Sequence, residues 1–388
     1  MRFYTDKLIM TPGPTEIPLR VKRAMLREST NPDLDPSFLE FYNSVRRKIS
    51  KLLKASKADI YIMVGEAILG LEAAIANTMR RGDKVIVVAN GVFGEGFADI
   101  VRMYGGNPVL VSSENWRRGV DLSELERALE RNRDAELLTI VHCDTPSAIL
   151  NDIREVARVA DGFGVITIVD AVSSIGGVEV DFDNWKLGIL IGGSQKVLNA
   201  PPGLTIMILR SDVWSKVERA GYNGLYMNLK LWRDMLDSKG IFPYTMSDTL
   251  VYALDEALNM ILEEGVENVY ARHAKAKEAS WRALEALGLE AFPESMEYSS
   301  PTVTAINVPR GVDERRLRDH IWNKYGVMIA GSWGKLESKV IRIGHMGVQA
   351  SRTYLIAAYT ALARGLRDLG VDVNVAKVVE AIDDVYRD

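Results

Sequence analysis

The sequence has very little cysteine and histidine, which limits the disulfides and metal sites that it can form. Its 388 residues include one cysteine, Cys143, and four histidines that are far apart in the chain. A single cysteine permits no intrachain disulfide and no CxxC metal site, and no HExxH pattern occurs, so we expect no bound metal. A chain without cysteine pairs fits a reducing compartment, and we expect a cytoplasmic protein.

Long apolar runs and a strong net charge are also lacking. No apolar run approaches the roughly 18 residues of a membrane-spanning helix, and the first residues, MRFYTDKLIMTPGP, lack the apolar region of a signal peptide. The net charge of −4 implies no nucleic-acid or anionic-membrane partner. With 388 residues, the chain is expected to form two or three domains with a large core.

Strand-like and helix-like segments alternate between residues 58 and 209. Apolar, β-branched runs such as DKVIVVA (83–89) and GVITIVDAV (164–172) are separated by segments with helical apolar spacing. Uninterrupted apolar strands that alternate with helices are typical of a parallel sheet covered on both faces. The pattern therefore predicts an α/β domain.

The pattern changes after this region. Residues 221–248 are aromatic and irregular, and we place the end of the large domain there. Long amphipathic helices are predicted at 249–264 and 266–287, followed by a mixture of strands and helices. We therefore predict a large domain at 21–248 and a smaller α+β domain at 249–388.

One lysine, Lys196, lies in a polar stretch between two strand-like segments, in ILIGGSQKVLNAPPGLTIMIL (189–209). Its position alone favours a snorkelling or ion-paired lysine. The alternative is a Schiff-base lysine, whose pKa falls below about 10.4 when the amine is partly desolvated. The polar neighbours Ser194 and Gln195 and the rigid prolines that follow favour the alternative.

An aspartate, Asp170, lies at the carboxyl end of another apolar strand, where open α/β sheets bind ligands. It would either cap a helix or face a cationic ring nitrogen. Pyridoxal phosphate chemistry needs a lysine to hold the aldehyde and a carboxylate to keep the pyridine nitrogen protonated. Lys196 and Asp170 together therefore predict pyridoxal phosphate as the cofactor.

A phosphate site is predicted where VGEAILGLEAA passes from a strand into a helix. The backbone N–H groups of Gly65, Glu66 and Ala67 would bind the phosphate at the helix N-terminus. The Glu66 carboxylate would repel phosphate, so we expect this side chain to point away. A plain strand-to-helix turn is the alternative interpretation.

Three further residues have two interpretations each. Phe93, between glycines just past a strand, is either a core aromatic or a ring that stacks on the cofactor. Thr145 follows a further strand and would bond the cofactor's phenolate oxygen. Arg342 lies among β-branched residues and needs an anionic partner, which is either an internal carboxylate or the carboxylate of a substrate. Cys143 is expected to be a small buried hydrophobe.

Together these segments resemble the class V pyridoxal-phosphate-dependent aminotransferases of fold type I, in particular the alanine–glyoxylate / serine–pyruvate branch. The resemblance covers nearly the whole chain, and GSQKVLNAPPG and KVIRIGHMG are its most specific matches, supported by VDAVSSIGG and ANGVFG. It implies a mainly parallel seven-stranded sheet in the large domain, a smaller α+β C-terminal domain, and an N-terminal segment, 1–20, that contributes to the active site.

The resemblance also implies the activity and the role of each residue. Serine or alanine would donate an amino group to pyruvate or glyoxylate by a ping-pong mechanism, in a homodimer with shared active sites. Lys196 would be the Schiff-base lysine and the general base, and Asp170 the partner of the pyridine nitrogen. The remaining roles would be Gln195 at the phosphate, Val172 and Phe93 on the two ring faces, Thr145 beside the ring, Gly13 in the substrate pocket, and Arg342 on the substrate carboxylate.

Two segments depart from the family pattern. A Tyr-His-His-Thr type segment usually reaches the phosphate in the neighbouring subunit, and here it reads FPYT. Thr245 matches and would bind that phosphate, while Phe242 replaces the tyrosine and leaves Tyr244 as the nearby hydroxyl. The phosphate loop reads GEA, where serine, glycine and histidine or threonine are commoner.

Other functions on the same scaffold stay open. One is an aminotransferase for 2-aminoethylphosphonate or phosphoserine, and another is a related lyase or a cysteine desulfurase. A desulfurase needs a nucleophilic cysteine on a mobile loop, and Cys143 is predicted to be in a strand. A catalytically inactive binding protein is a further alternative, against which the presence of Lys196, Asp170 and Arg342 argues.

Overall fold

A computed structural model describes residues 7–112 and 115–387 of the chain. The strands in these residues, numbered in chain order, are β1 Leu8–Ile9, β2 Asp59–Val64, β3 Lys84–Val88, β4 Asn107–Val111, β5 Leu137–Val141, β6 Cys143–Asp144, β7 Ile149–Leu150, β8 Ile166–Asp170, β9 Ile189–Gly193, β10 Leu204–Leu209, β11 Val303–Asn307, β12 Val327–Met328, β13 Ala330–Gly331 and β14 Val340–Gly344.

The α-helices are numbered in the same way. They are α1 Leu19–Ala24, α2 Pro36–Leu53, α3 Ile68–Thr78, α4 Val92–Met103, α5 Leu122–Arg131, α6 Ile153–Gly162, α7 Val213–Ala220, α8 Leu229–Trp232, α9 Asp248–Glu264, α10 Val266–Leu287, α11 Glu314–His320, α12 Arg352–Asp368 and α13 Val375–Tyr386.

The central sheet has seven strands in the order β2-β10-β9-β8-β5-β3-β4. All neighbouring pairs are parallel except those of β10, which is antiparallel to both β2 and β9. The connection 194–203 joins β9 directly to β10, so the chain reverses between them, whereas parallel strands need a crossover. The predicted α/β fold with a mainly parallel seven-stranded sheet is confirmed.

The central strands are buried along their whole length. Every residue of β5, β8, β9 and β10 is buried. Successive side chains of a strand point to opposite faces, so complete burial means that both faces of the sheet are covered. This is the physical reason why these strands are continuous apolar runs in the sequence.

Most of the predicted cofactor residues lie at or just after the ends of strands that finish at one edge of this sheet. The strands β2, β3, β5, β8 and β9 run in the same direction, and the last residues of β8 and β9 are Asp170 and Gly193. The segments after these strands contain the GEA loop, Phe93, Thr145 and Lys196. The topology therefore gathers segments from distant parts of the chain at one edge.

Two large hydrophobic clusters divide the core. The first contains buried residues between Phe38 and Val269, and the second contains Met10 and buried residues between Ala276 and Ile382. The second surrounds an antiparallel sheet with the order β11-β14-β13. Buried residues of α9, such as Leu254, pack in the first cluster. The division at residues 248 and 249 stays a prediction, and residues 1–6 and 388 of the predicted outer parts lie outside the described residues.

Two regions differ from the sequence expectation. Residues 221–248, predicted to be irregular, contain α8 and a π-helical turn, Arg233–Asp237. Helix α13 was not predicted, although Asn374 accepts hydrogen bonds from its first N–H groups, as an N-cap does.

Within the described residues, no helix is both long and apolar enough to cross a membrane.

Candidate active site

Lys196 lies in the connection between β9 and β10, with its amine buried. Its Nζ donates a hydrogen bond to the carbonyl oxygen of Pro12, at 2.6 Å. Burial, and then the positive charge of Arg342, lower the pKa of Lys196 to about 8. A much larger fraction of this amine is therefore neutral near neutral pH than for an exposed lysine, as a nucleophile or base requires.

The N-terminal segment forms one wall around this lysine. The Thr15 hydroxyl donates to the carbonyl oxygen of Lys196 at 2.9 Å, and the Thr15 N–H donates to that of Gln195 at 3.1 Å. Gly13 has a φ of +107°, and a Cβ atom there would lie 2.7 Å from Nζ of Lys196. Any other residue at position 13 would be strained and would displace the lysine.

Asp170 presents a buried carboxylate at the same sheet edge. Its Oδ1 accepts a hydrogen bond from the Val172 N–H at 2.9 Å. Burial raises the pKa of Asp170 to about 7, and the nearby charge of Asp144 acts in the same direction. A cationic group placed beside it would favour the ionised carboxylate, so the site is suited to a protonated ring nitrogen.

Gly193 marks the point where three predicted cofactor residues converge. A Cβ atom there would lie 2.8 Å from Oε1 of Gln195, 3.0 Å from Cβ of Ala67 and 3.1 Å from Cγ1 of Val172. These residues come from three separate segments of the chain. Only glycine leaves enough space at this position for the three side chains to meet.

The loop before α3 has the geometry of an anion site. Gly65 has a φ of +137°, and the Thr205 hydroxyl donates to the carbonyl oxygens of Gly65 and Glu66, at 3.0 and 2.8 Å. Within the described part of the chain, the N–H groups of Glu66, Ala67 and Ile68 form no hydrogen bond. Such free N–H groups at a helix start attract anions. The prediction for the N–H group of Gly65 is wrong, because it donates to the carbonyl oxygen of Gly203 at 2.8 Å.

Glu66 itself is exposed beside this loop. Its negative charge raises the pKa of both Asp170 and Lys196, although it is a minor cause for each. The carboxylate is therefore close enough to affect the electrostatics of the site.

Two buried oxygens provide a test of whether the residues fit the cofactor. Oγ1 of Thr145 and Oε1 of Gln195 have no hydrogen-bond partner among the described residues. Buried polar groups are nearly always bonded, so these two atoms are suited to a polar ligand. Together with the carboxylate of Asp170 and the free N–H groups before α3, the Thr145 hydroxyl matches the polar groups of pyridoxal phosphate. The Gln195 oxygen accepts hydrogen bonds only, so Gln195 would contact a phosphate through its NH2 group.

Asp144, at the end of a further strand, is a residue of the candidate site to which the sequence analysis assigned no role. Its Oδ2 accepts from the Phe93 N–H at 2.9 Å, and its Oδ1 accepts from the Ser147 hydroxyl at 3.0 Å. A Cβ atom at Gly91 would collide with its carboxylate. Asp144 thus caps the start of α4 and fixes Phe93, while burial raises its pKa to about 6. Its place between Cys143 and Thr145, after a strand of the same sheet edge, was the available signal.

Arg342 is almost completely buried in β14, with 4% of its surface exposed. Its Nε donates to the carbonyl oxygen of Gly331 at 2.6 Å, and burial lowers its pKa to about 10. It forms no direct ion pair with the described residues, although the charges of Asp144 and Glu314 lie near enough to favour its cationic form. It lines a cavity of about 1020 Å³ together with Gly13.

Thr245 is the predicted site residue that does not join the others within the chain. It is exposed, and its hydroxyl donates to Asp33 at 3.4 Å. The neighbouring Phe242 is buried in the first core cluster. The Tyr244 hydroxyl donates to the carbonyl oxygen of Tyr226 and accepts from Nε1 of Trp232, so it is already bonded within the chain.

Cys143 is buried, as expected, and its thiol donates to the Ser300 hydroxyl at 3.0 Å. Burial raises the pKa of this thiol to about 11. A thiol with so high a pKa is a poor nucleophile at neutral pH, which argues against a desulfurase that uses it.

Fold type I enzymes that use pyridoxal phosphate share this arrangement of sheet, lysine and carboxylate, and comparison with known proteins places the chain among them. The family model described as "Aminotransferase class-V" matches residues 10–346. The chain belongs to this family. It is a pyridoxal-phosphate-dependent aminotransferase, an enzyme that transfers an amino group to a 2-oxo acid.

Several relatives are similar to the chain over almost its whole length. The pyridoxamine–pyruvate transaminase of Mesorhizobium japonicum is 34% identical over 382 residues, which are 97% of this chain and 96% of the relative. The serine–glyoxylate aminotransferase of Methylorubrum extorquens is 32% identical over 388 residues, covering 98% and 96% of the two chains. The crystal structure of ureidoglycine–glyoxylate aminotransferase from Bacillus subtilis superposes with a TM-score of 0.95, at 28% identity and 100% coverage of both chains.

Proposed function

We propose that the enzyme transfers the amino group of a small amino acid, serine or alanine, to pyruvate or glyoxylate by a ping-pong mechanism. The observation that carries this proposal is the guanidinium of Arg342, which is buried without an ion-pair partner among the described residues. A buried cation needs an anion, and the α-carboxylate of an amino acid or a 2-oxo acid supplies one in bidentate geometry. The cavity that Arg342 lines is also bordered by Gly13, which lies against Lys196.

Lys196 and Asp170 would carry the chemistry. Pyridoxal phosphate supplies an aldehyde that condenses with amines and a ring that accepts the electron pair left at Cα when its proton is removed. The Lys196 amine, with its pKa lowered to about 8, would take the Cα proton and return it to the cofactor carbon to which the amino nitrogen is bonded. The Asp170 carboxylate would stabilise the positive charge of the protonated ring nitrogen.

Other residues would bind and orient the cofactor. Val172 and Phe93 would contact the two ring faces, and Thr145 would bond the ring's oxygen substituent. The unbonded Oγ1 of Thr145 supports its role. The phosphate would be bound by the side chain of Gln195 and by the N–H groups of Glu66 and Ala67, whereas the N–H group of Gly65 already donates to the carbonyl oxygen of Gly203.

A panel of amino acids tests the donor. The purified enzyme would be supplied with single amino acids and either glyoxylate or pyruvate, and the amino acid products measured by chromatography. We expect serine and alanine to give the largest kcat/KM values. The serine–glyoxylate relative supports this choice. If neither donor reacts while 2-aminoethylphosphonate or phosphoserine does, the proposed donor class is wrong.

A second candidate donor is pyridoxamine, on which a relative of 34% identity acts together with pyruvate. Its ring would occupy the same pocket, as a substrate without a phosphate. The observation that favours it is Glu66, an exposed carboxylate at the loop where a phosphate would bind. Equilibrium dialysis of the apo-protein with pyridoxal, and separately with pyridoxal phosphate, measures which of the two binds more tightly. The result decides between an amino acid donor, the first candidate, and pyridoxamine, the second. Tighter binding of pyridoxal, reversed in Glu66→Gln, favours the second candidate; tighter binding of pyridoxal phosphate favours the first.

Replacement of Arg342 by lysine tests the carboxylate site. Lysine keeps the charge but cannot form two parallel hydrogen bonds. We expect a loss of about 1.5–3 kcal/mol in substrate binding, which is roughly tenfold or more in kcat/KM. Steady-state kinetics measure it, and Arg315→Lys, an exposed arginine at the rim of the same cavity, is the matched control. If amines without a carboxylate react with the native enzyme as well as amino acids do, Arg342 does not have this role.

We also propose a homodimer in which each active site is shared. Large apolar side chains are exposed around the start of α3, namely Ile68 at 54%, Leu225 at 72% and Tyr226 at 44%. The Tyr226 hydroxyl donates to the carbonyl oxygen of Val64, immediately before the GEA loop. Exposed apolar surface of this kind is typical of an interface, and here it lies beside the predicted phosphate site.

Thr245→Val tests whether the FPYT segment reaches the partner's phosphate. The variant keeps the shape of the side chain and removes a donor, and we expect it to weaken cofactor binding by about 1.5–3 kcal/mol. Cofactor retention in dialysis would be measured alongside dimer content by light scattering. The control is Thr353→Val, another exposed threonine. Retention equal to that of the wild type would rule out this form of the shared site.

We propose a cytoplasmic location for the enzyme. The support is the single cysteine, which needs no oxidising compartment. Cell fractionation followed by immunodetection tests this proposal, and recovery of the enzyme outside the cytoplasmic fraction would contradict it.

A further inference from the structure

A short segment, Ser332–Lys335, crosses from the second core cluster to helix α4 of the first. The Ser332 hydroxyl donates to the carbonyl oxygen of Pro146 at 3.0 Å, and Lys335 forms an ion pair with Glu95 of α4. This bridging segment spans the region between Arg342 and the start of α4. Its position fixes where the side chain of Trp333 lies.

The Trp333 ring lies between the predicted carboxylate site and the predicted cofactor site. Its centroid is 5.1 Å from Cζ of Arg342 and 5.8 Å from the ring centroid of Phe93, which it meets edge to face at 88°. The residue is nevertheless 54% exposed. It lines the same cavity as Arg342 and Gly13, so part of its apolar surface is available to a ligand there.

The cations of this cavity differ in what they can bind. Arg318 is neutralised by an ion pair with Glu314, and Arg315 is exposed at the rim. Arg342 is the buried arginine among the described lining residues, and it has no ion pair with them. The inner part of the cavity can therefore bind one substrate carboxylate by an ion pair, through Arg342.

The contact between the Trp333 ring and Arg342 affects substrate binding in two ways. The ring lies 5.1 Å from Cζ of Arg342, and Nε already donates to the carbonyl oxygen of Gly331, so a carboxylate would bind through the Nη groups beside the ring. The apolar surface of the ring favours contact with an apolar side chain, because that contact removes both from water. Its electron-rich face disfavours a second carboxylate.

We propose that Trp333 is a specificity-determining residue, which contacts the side chain of the amino donor and selects donors with one carboxylate and an uncharged side chain. This inference rests on the proposed function and narrows its substrate class. Serine and alanine satisfy it, whereas aspartate and glutamate do not.

The test compares the holoenzyme with Trp333→Ala and Trp333→Phe. With glyoxylate as acceptor, we expect Trp333→Ala to raise the KM for alanine about tenfold, through loss of the cation–π contact and of water exclusion. We expect the ratio of kcat/KM for alanine to that for aspartate to fall at least about tenfold. Trp333→Phe keeps an aromatic face and should retain most of this ratio.

A binding measurement separates this inference from the proposed function. Calorimetry on the holoenzymes would give dissociation constants for propionate and succinate, which carry one and two carboxylates and do not react. We expect the wild type to prefer propionate and Trp333→Ala to lose this preference. That result supports the role of Trp333 even if no amino acid is turned over, in which case the proposed function alone fails.

The control is Lys335→Ala, which breaks the ion pair with Glu95, while the Ser332 hydrogen bond to Pro146 and the contacts of the Trp333 ring with Arg342 and Phe93 still position the ring. It should keep the wild-type preference, because the ring and not the bridge determines selectivity. A wild-type enzyme that binds succinate more tightly than propionate would overturn the proposal. Unchanged discrimination in Trp333→Ala, or an equal loss in Lys335→Ala, would also overturn it.

Discussion

Replacing Lys196 by alanine is expected to abolish transamination and leave the fold intact. The variant loses the amine that contacts Gly13 and Pro12, and with it both the attachment of the cofactor and the transfer of the Cα proton. The fold should persist because burial of this amine is unfavourable, as its pKa of about 8 indicates. Product formation with alanine and glyoxylate measures the effect, and circular dichroism monitors the fold.

A remote lysine provides the control for this experiment. Lys186 is exposed and forms an ion pair with Asp161 on the surface, so Lys186→Ala should retain wild-type turnover. If Lys196→Ala kept a tenth of the wild-type rate or more, another group would have to be the base.

Asp170→Asn is expected to leave the cofactor bound and to reduce the rate by at least about a hundredfold, as the loss of a preorganised charge does in other active sites. A neutral amide cannot stabilise a protonated ring nitrogen, so removal of the Cα proton becomes harder. Single-turnover kinetics with alanine measure this step. A rate within threefold of the wild type would mean that another acid faces the ring nitrogen.

The same variant is expected to stabilise the apo-protein above pH 7. The pKa of Asp170 is about 7 in the folded apo-protein and about 3.9 in an unfolded chain. Between these values the folded state holds a proton that the unfolded state has released, so this carboxylate lowers stability as the pH rises. Above pH 7 the free energy of unfolding of the wild-type apo-protein is lowered by the full amount, up to about 4 kcal/mol.

Thermal unfolding of the apo-proteins at a series of pH values measures this effect. The melting temperature of Asp170→Asn should exceed that of the wild type at pH 8, and the two should converge towards pH 4. Asp372→Asn, an exposed aspartate, is the control and should show no such trend. A difference that is the same at pH 4 and pH 8 would contradict the raised pKa.

The alternation of buried strands and helices could be predicted because parallel strands covered on both faces are apolar along their whole length. The strand ending at Asp170 and the two strands around Lys196 were recognised in this way, and all three are buried throughout. Site residues at strand ends were predictable for the same reason, since parallel strands bring their carboxyl ends to one edge. The segment FPYT illustrates the limit, because its pattern does not reveal that the Tyr244 hydroxyl is bonded within the chain.

The sequence by itself determined the sheet, the lysine, the carboxylate and the family of this enzyme, because each depends on local pattern or on residues next to a strand end. Only the tertiary structure decided which distant groups meet. It brought Trp333 onto Arg342, placed Asp144 at the start of α4, and left the guanidinium of Arg342 without a direct ion pair among the described residues. These contacts join segments far apart in the chain, and their geometry depends on how the two core clusters pack against each other, which no local spacing encodes.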